Sequence, residues 1–276
     1  MKQTPTLVSV IFSTYNSINW MMKTLWGLHY QEFQNFEIII ADDGSTEETK
    51  EAIDRFKAET GREVKHVWQP DHGFQKTKIL NKALVESKGD YIVFTDGDCI
   101  LRKDFLAVHV SLAEPGYFLS GGYFKLPMET SEKITREEIA NGKAFELEWL
   151  LANGLKKTHK TMKLSAKGLK AKLLNSLTPT KATWNGHNVS GWREDIFKAN
   201  GFDERMQYGG EDRELGERLF NAGIKSKQIR YSAICIHLDH ARGYVTQEMR
   251  DKNAAIRKTT KQQRLTRTPY GIEKDQ

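Results

Sequence analysis

Tyr91-Ile92-Val93-Phe94-Thr95 runs without a charged residue and is followed at once by Asp96-Gly97-Asp98. A strand apolar along its whole length must be covered on both faces, which is the situation of a parallel sheet sandwiched by helices. Its end falls on the C-terminal edge of the sheet, where open α/β sheets bind ligands. Two carboxylates there, with a glycine that admits close backbone approach, suit a hard divalent cation holding a diphosphate. Asp-Gly is equally a turn signal, so this motif leaves both readings open.

Three more runs repeat the pattern. Leu7–Phe12 leads into Ser13-Thr14-Tyr15-Asn16, and Glu37–Ala41 into Asp42-Asp43-Gly44-Ser45-Thr46. The weaker Val64–Trp68 leads into Asp71-His72-Gly73. Between them Trp20, Met21, Leu25, Trp26 and Leu28 recur at helical spacing, Ser45 or Thr46 can cap a helix opening with Glu47 and Glu48, and Phe74–Glu86 reads as a helix. The order β-α-β-α-β-α-β predicts an α/β fold with a mostly parallel sheet and helices on both faces. All four polar clusters then share one sheet edge. Neither a glycine-rich dinucleotide fingerprint nor a Walker loop follows the first strand, which argues against NAD-dependent oxidoreductases and P-loop ATPases.

Composition narrows the partners. A net charge of +6 favours anionic ligands such as nucleoside diphosphates or phospholipid headgroups. No interleaved basic and aromatic pattern of a nucleic-acid module is present, so no nucleic-acid partner is expected. Cys99 and Cys235 are too few for a disulfide framework and fit a reducing compartment. Residues 1–5 carry no apolar leader and no run nears the ~20 residues of a membrane span. The expected location is cytoplasmic, either free or peripheral on the inner face of the plasma membrane.

A second constellation lies at residues 184–223. Trp184-Asn185-Gly186-His187-Asn188 precedes Asn200-Gly201-Phe202-Asp203, then Tyr208-Gly209-Gly210-Glu211-Asp212 opens a helix that Gly223 can end. Acids in a first helical turn are stabilised as carboxylates, as a general base requires, and they are also favoured there for stability alone. A last strand, Ile229–Ile236, runs into His237-Leu238-Asp239-His240.

With these motifs in this order, the chain resembles the family 2 glycosyltransferases of GT-A fold. The matching stretches are Val8–Asn16, Glu37–Ser45, Gly73–Leu84 and Asp90–Asp98. The Gly-Gly-Glu-Asp region is similar to the acceptor side of inverting family 2 enzymes and β-1,4-galactosyltransferases. The resemblance implies that Thr14, Tyr15, Asn16 and Asp42 hold the nucleotide, with Lys78, Asn81, Asp96 and Gly97 also on the donor side. Asp43 is read as a turn support, and Lys76 and Lys82 as surface charges. It further implies that Asp212 is the catalytic base assisted by Glu211, and that Asn188, Tyr208, Gly210 and Glu211 meet the acceptor. Tyr208 stands where the galactosyltransferases carry tryptophan, which leaves the sugar open. Asp98 and His237 are implied as ligands of Mn²⁺ or Mg²⁺, with His240 as the alternative histidine. The expected reaction moves a sugar from a nucleoside-diphosphate donor, a UDP-sugar, to a glycan or glycolipid hydroxyl in cell-envelope polysaccharide or lipopolysaccharide synthesis. The rival classes are a sugar nucleotidyltransferase and a degenerate nucleotide- or glycan-binding protein.

The expected organisation is a donor half at 1–120, a helical insertion at 121–180, an acceptor half at 181–245 and a basic tail at 246–276. Within the insertion, Ile134–Leu151 reads as an acidic amphipathic segment. The stripe Leu155, Met162, Ala166, Leu169, Leu173 and Leu177 among lysines reads as a basic amphipathic helix that either lies on an anionic membrane or packs on the domain. Arg242 and Tyr244 are expected to close over the donor phosphates. The tail is expected as a fraying helix or a flexible arm.

Overall fold

The computed structural model describes residues 4–240 and 245–274. Arg242 and Tyr244 lie outside the described residues. Seven strands form the main sheet: β1 (Val8–Thr14), β2 (Phe36–Asp42), β3 (Val64–Trp68), β4 (Tyr91–Asp96), β6 (Tyr117–Ser120), β8 (Asn188–Trp192) and β9 (Lys225–Gln228). Their order is β3-β2-β1-β4-β8-β6-β9. Strands β1 to β4 are parallel, and β8 runs antiparallel to both its neighbours. A small sheet of β5 (Cys99–Leu101), β7 (Gly122–Lys125) and β10 (Ile234–His237) has the order β5-β10-β7.

The alternation of side chains across the central strands builds two cores. Val8, Val10 and Phe12 of β1 face one way, against α1 (Ile18–His29) and α2 (Glu47–Thr60). Ile11, Ile39, Ile92 and Phe94 face the other, against α3 (Lys76–Val85). That second core is completed by α10 (Arg193–Lys198) and α11 (Glu211–Asn221), through Ile196, Leu215 and Leu219. The near-continuous apolar runs are therefore buried on both faces, as the parallel-sheet reading requires.

Three local expectations change. Only the end of the expected last strand, Ile229–Ile236, is a strand: β10 begins at Ile234, and the chain turns at Ile229–Ala233, where the amides of Ser232 and Ala233 donate to the Ile229 carbonyl. This turn moves the chain from the main sheet to the small one. After α4 (Phe105–Leu112) and β6, the insertion opens with β7 and continues as a chain of short helices: α5 (Met128–Lys133), α6 (Arg136–Asn141), α7 (Leu147–Ala152), α8 (Met162–Ser165) and α9 (Gly168–Leu177). Gly142, at φ 85°, ends α6 with a left-handed cap and breaks the acidic segment. Leu155 and Ala166 of the lysine-rich stripe are buried, whereas Leu169, Leu173 and Leu177 are exposed.

The tail takes the helical form. α12 (Gln247–Gln262) docks on α11, with Arg257 paired to Glu217 and the Thr260 hydroxyl donating to Glu214 Oε1 at 2.8 Å.

Candidate active site

Strand register brings the first polar groups together. Thr14 pairs with Asp42 and Ser13 with Asp96, so the ends of β1, β2 and β4 meet at one edge. Because β8 is antiparallel, its start rather than its end lies there, and Asn188 is opposite Thr95. The Asn185–His187 segment therefore crosses in front of the β4 end. β10 is antiparallel to β5, which sets His237 opposite Cys99, the neighbour of Asp98.

Gly97 fits the close-approach argument. A Cβ there would stand 2.6 Å from the Ser13 carbonyl oxygen, which accepts the Gly97 N–H at 3.1 Å. This contact fixes the backbone between the two carboxylates.

Asp96 faces Lys76, whose Nζ lies 2.8 Å from Asp96 Oδ1. Lys76 is thus a half-buried partner, not the free surface charge expected of it. Burial would raise the Asp96 carboxyl, but Lys76 and then the nearby His187 and His237 bring it down to about 2. Burial alone would lower the Lys76 ammonium, yet Asp96, Glu211 and Asp212 together raise it. A lysine in a helical first turn opposes the helix dipole, and such a residue is tolerated when carboxylates face it. That was the available sequence signal. Lys78, two residues on, points away from Lys76 by the helical repeat, and among the described residues no hydrogen bond or ion pair ties its ammonium to this cluster.

The catalytic-base candidate enters from α11. Asp212 Oδ2 accepts the Gly186 N–H at 3.0 Å and Oδ1 accepts the Arg213 N–H at 2.7 Å. A Cβ at Gly186 would stand 3.9 Å from each of Asp212 Cβ, Asp96 Oδ1 and Lys76 Nζ, so three side chains converge on one backbone point. Burial raises both acids of the pair: Asp212 despite its two backbone donors, and Glu211 despite Lys76. The helix N-terminus was expected to keep them fully ionised, and desolvation outweighs it. A raised carboxylate is the stronger proton acceptor. Glu211 Oε2 accepts the Gly209 N–H at 2.8 Å and steadies the helix entry, with Gly209 and Gly210 at φ 108° and 88°.

Beyond Asp96 lies a potential metal centre. Asp98, His237 and His240 place one ligand atom each within 4.8 Å of one another. His237 Nδ1 lies 2.8 Å from the Leu238 carbonyl, so Nδ1 carries the proton and Nε2 is the ring nitrogen with a lone pair to offer a metal. His240 Nε2 is 2.9 Å from Asp98 Oδ2, and His237 Nε2 is 3.6 Å from it. One carboxylate and two imidazoles suit Mn²⁺. The two histidines weighed as alternatives thus both join the cluster. His187, held neutral by burial with its pKa near 4, sits against Asp96 and Asp98 and against Tyr123.

Several of the residues expected to bind ligands make hydrogen bonds within the fold. Asn81 donates to the Phe202 carbonyl and to Glu204, and accepts the Phe202 N–H, so its amide clamps the 202–204 loop rather than reaching a donor. Asn188 is fully buried, spanning the Gly122 and Ala233 carbonyls and His109, which removes it from any acceptor. Asp42 is sealed, with Oδ1 taking the Ser45 N–H and Oδ2 2.8 Å from His66. Asn16 accepts the Thr46 N–H at the start of α2. Asp43 receives Gln69 and the Gln75 N–H, in keeping with a turn support.

At the open edge, Tyr15 is exposed and bonds Asp71, and Tyr208 rests edge-on against Phe74. Thr14 Oγ1 is buried without a hydrogen-bond partner among the described residues. One positioning residue escaped the sequence reading. Asn253 of α12, fully buried, accepts the Gln207 N–H and donates to the Gln207 and Gly209 carbonyls, fixing the loop that carries Tyr208.

Residues 9–167 match the profile of glycosyl transferase family 2, and residues 179–241 match one described as the N-terminal domain of galactosyltransferase. An uncharacterized glycosyltransferase, YfnE of Bacillus subtilis, is 26% identical over 84% of this chain and 64% of its own length. Chondroitin synthase of Escherichia coli is 28% identical over 80% of this chain and 33% of its own. The chain thus spans less than two thirds of either relative. A mannosyltransferase of Pyrobaculum calidifontis, solved with GDP-Man and Mn²⁺, superposes with a TM-score of 0.59 at 21% identity, covering 88% of this chain and 59% of that one. The fold is GT-A, and the chain belongs to glycosyl transferase family 2.

Proposed function

We propose that this protein is an inverting, divalent-cation-dependent glycosyltransferase that moves a sugar from a UDP-sugar to the hydroxyl of a glycan or glycolipid of the cell envelope. The observation that carries the reading is the convergence of Asp212, Asp96 and Lys76 on Gly186, beside the Asp98, His237 and His240 cluster. Asp212 takes the proton of the acceptor hydroxyl as that oxygen bonds the anomeric carbon. The bond from that carbon to the diphosphate breaks on the opposite face, so one displacement inverts the configuration.

Asp98, His237 and His240 would hold Mn²⁺ or Mg²⁺, which would neutralise the charge of a departing diphosphate. Asp96, oriented by Lys76, accepts hydrogen bonds from the donor sugar or ribose, and Gly97 lets the diphosphate approach the backbone. Thr14 and Tyr15 line the nucleotide, while Asn16 and Asp42 support it through Thr46 and Ser45. Tyr208, Gly210 and Glu211 face the acceptor.

A panel of nucleotide sugars tested for Mn²⁺-dependent turnover decides the reading. Release of nucleoside diphosphate, with a product of inverted anomeric configuration, is expected. Pyrophosphate release would identify a nucleotidyltransferase, and no turnover with any donor would leave a binding protein.

A further inference from the structure

Between Trp149 and Trp192 the chain carries eight lysines and no aspartate or glutamate. None of these lysines forms an ion pair with a described residue. Helix α9 lies inside this stretch. Its inner face is anchored: Ala171 is buried, and Asn175 donates to Ser232 Oγ at 2.8 Å and accepts the Tyr231 N–H at 2.9 Å. Its outer face carries Leu169, Leu173 and Leu177, which are 84%, 59% and 69% exposed. Spaced by four residues, they form one ridge about half a turn from Ala171, with Lys170 and Lys172 on its two flanks.

Leucines so exposed on a helix whose other face is anchored to the domain signal an unmet partner. A protein partner fits poorly. A stable protein interface recruits about 20–30 residues a side and is depleted in lysine. A narrow leucine ridge edged by lysines is instead the form of a helix lying in the plane of a lipid surface, with lysines drawn to anionic headgroups.

We infer that the outer face of α9 docks on an anionic lipid bilayer. The contact also bears on the site. Lys163 Nζ, from the same lysine-rich segment, donates to the Tyr123 carbonyl at 3.3 Å. The Tyr123 ring packs against His187 at 4.6 Å and His237 at 5.5 Å. The segment that carries the docked face thus also touches the wall of the site. If the glycosyltransferase reading is right, on which this consequence alone rests, the acceptor is a lipid-linked sugar.

The test is co-sedimentation of the full chain with vesicles, without donor or metal. Binding is expected to equimolar phosphatidylcholine and phosphatidylglycerol, not to phosphatidylcholine alone, and to fall with salt. The triple substitution Leu169→Gln, Leu173→Gln, Leu177→Gln should weaken it at least tenfold, and Lys170→Gln or Lys172→Gln about fivefold each. Donor hydrolysis in solution should survive in these variants, which confirms folding. A fluorophore on Leu173→Cys should report an apolar environment only with anionic vesicles; the native Cys99 and Cys235 are buried and stay unlabelled. No partition to anionic vesicles would overturn the proposal. So would undiminished binding of the triple variant, or a fluorophore response that follows protein concentration and reveals a second copy. Vesicle binding without turnover on any donor would sink the enzymatic reading and leave the lipid contact standing.

Discussion

Lys76 Nζ lies 2.8 Å from Asp96 Oδ1, in a pocket that also holds Glu211 and Asp212. One cation, from α3, serves three carboxylates from two other segments of the chain, the end of β4 and the start of α11. Its charge holds Asp96 ionised, while burial leaves the Glu211 and Asp212 pair with raised affinity for a proton.

The pair makes an acid-side prediction. The Asp96 carboxyl is depressed to about 2 in the fold, so its stabilisation is present above the unfolded value of about 3.9 and is lost as pH falls through 2. Lys76→Met should cost about 2 kcal/mol at pH 7, allowing for solvent screening of a half-buried pair. It should also flatten the stability slope between pH 4 and 2. Urea melts across that range measure both effects, and an unchanged slope would contradict the assignment.

Asp212 behaves with the opposite sign. Its folded pKa is raised, so its contribution is favourable at low pH and declines as pH rises from the unfolded value through the folded one. Asp212→Asn should therefore melt no lower than the parent at pH 7, yet lose transfer by ~10² or more with donor affinity kept. Calorimetric donor titration beside turnover separates the two effects. Near-normal turnover would remove Asp212 from the role of base.

For the metal centre, Asp98→Asn, His237→Gln and His240→Gln should each weaken Mn²⁺ binding by at least about tenfold, since each removes one of three convergent ligand atoms. Electron paramagnetic resonance of free Mn²⁺, in the absence of any sugar nucleotide, reads this directly. If His240→Gln binds as the parent does, the site is Asp98 and His237 with ligands from elsewhere.

Asn188→Ala should destabilise by about 3 kcal/mol, because it strands the Gly122 and Ala233 carbonyls and His109 in a dry interior. The corresponding Tm loss is roughly 6–12 °C. Asn81→Ala should loosen the 202–204 loop in the same way. The folded fraction should keep the parent KM for donor in Asn81→Ala and for acceptor in Asn188→Ala, whereas a ligand-binding role would raise it.

Much of this was legible in the chain. Val64–Trp68 forms a strand as read, and the other three parallel strands differ from their sequence boundaries only at the ends. An apolar run covered on both faces has few other places to go. The asparagines were less legible. Asn81 and Asn188 lie inside motifs that carry chemistry, but an amide serves a buried carbonyl as readily as a sugar hydroxyl, and local sequence does not distinguish the two. The tail is a similar case. Its polar composition hid Asn253, whose amide fixes the Gln207–Gly209 loop from α12.

The sequence by itself determined the sheet, the edge on which its polar loops gather and the family. Periodicity and motif order are properties of the chain alone. Tertiary structure decided which charges meet. Lys76 and Lys78 are indistinguishable as residues, and only the packing of α3 over β1 and β2 turns one of them to Asp96. Whether burial or the helix dipole governs Asp212, and whether one histidine or two face Asp98, depends on distances between segments far apart in sequence. Electrostatic interactions vary with separation and with exclusion of solvent, and folding sets both.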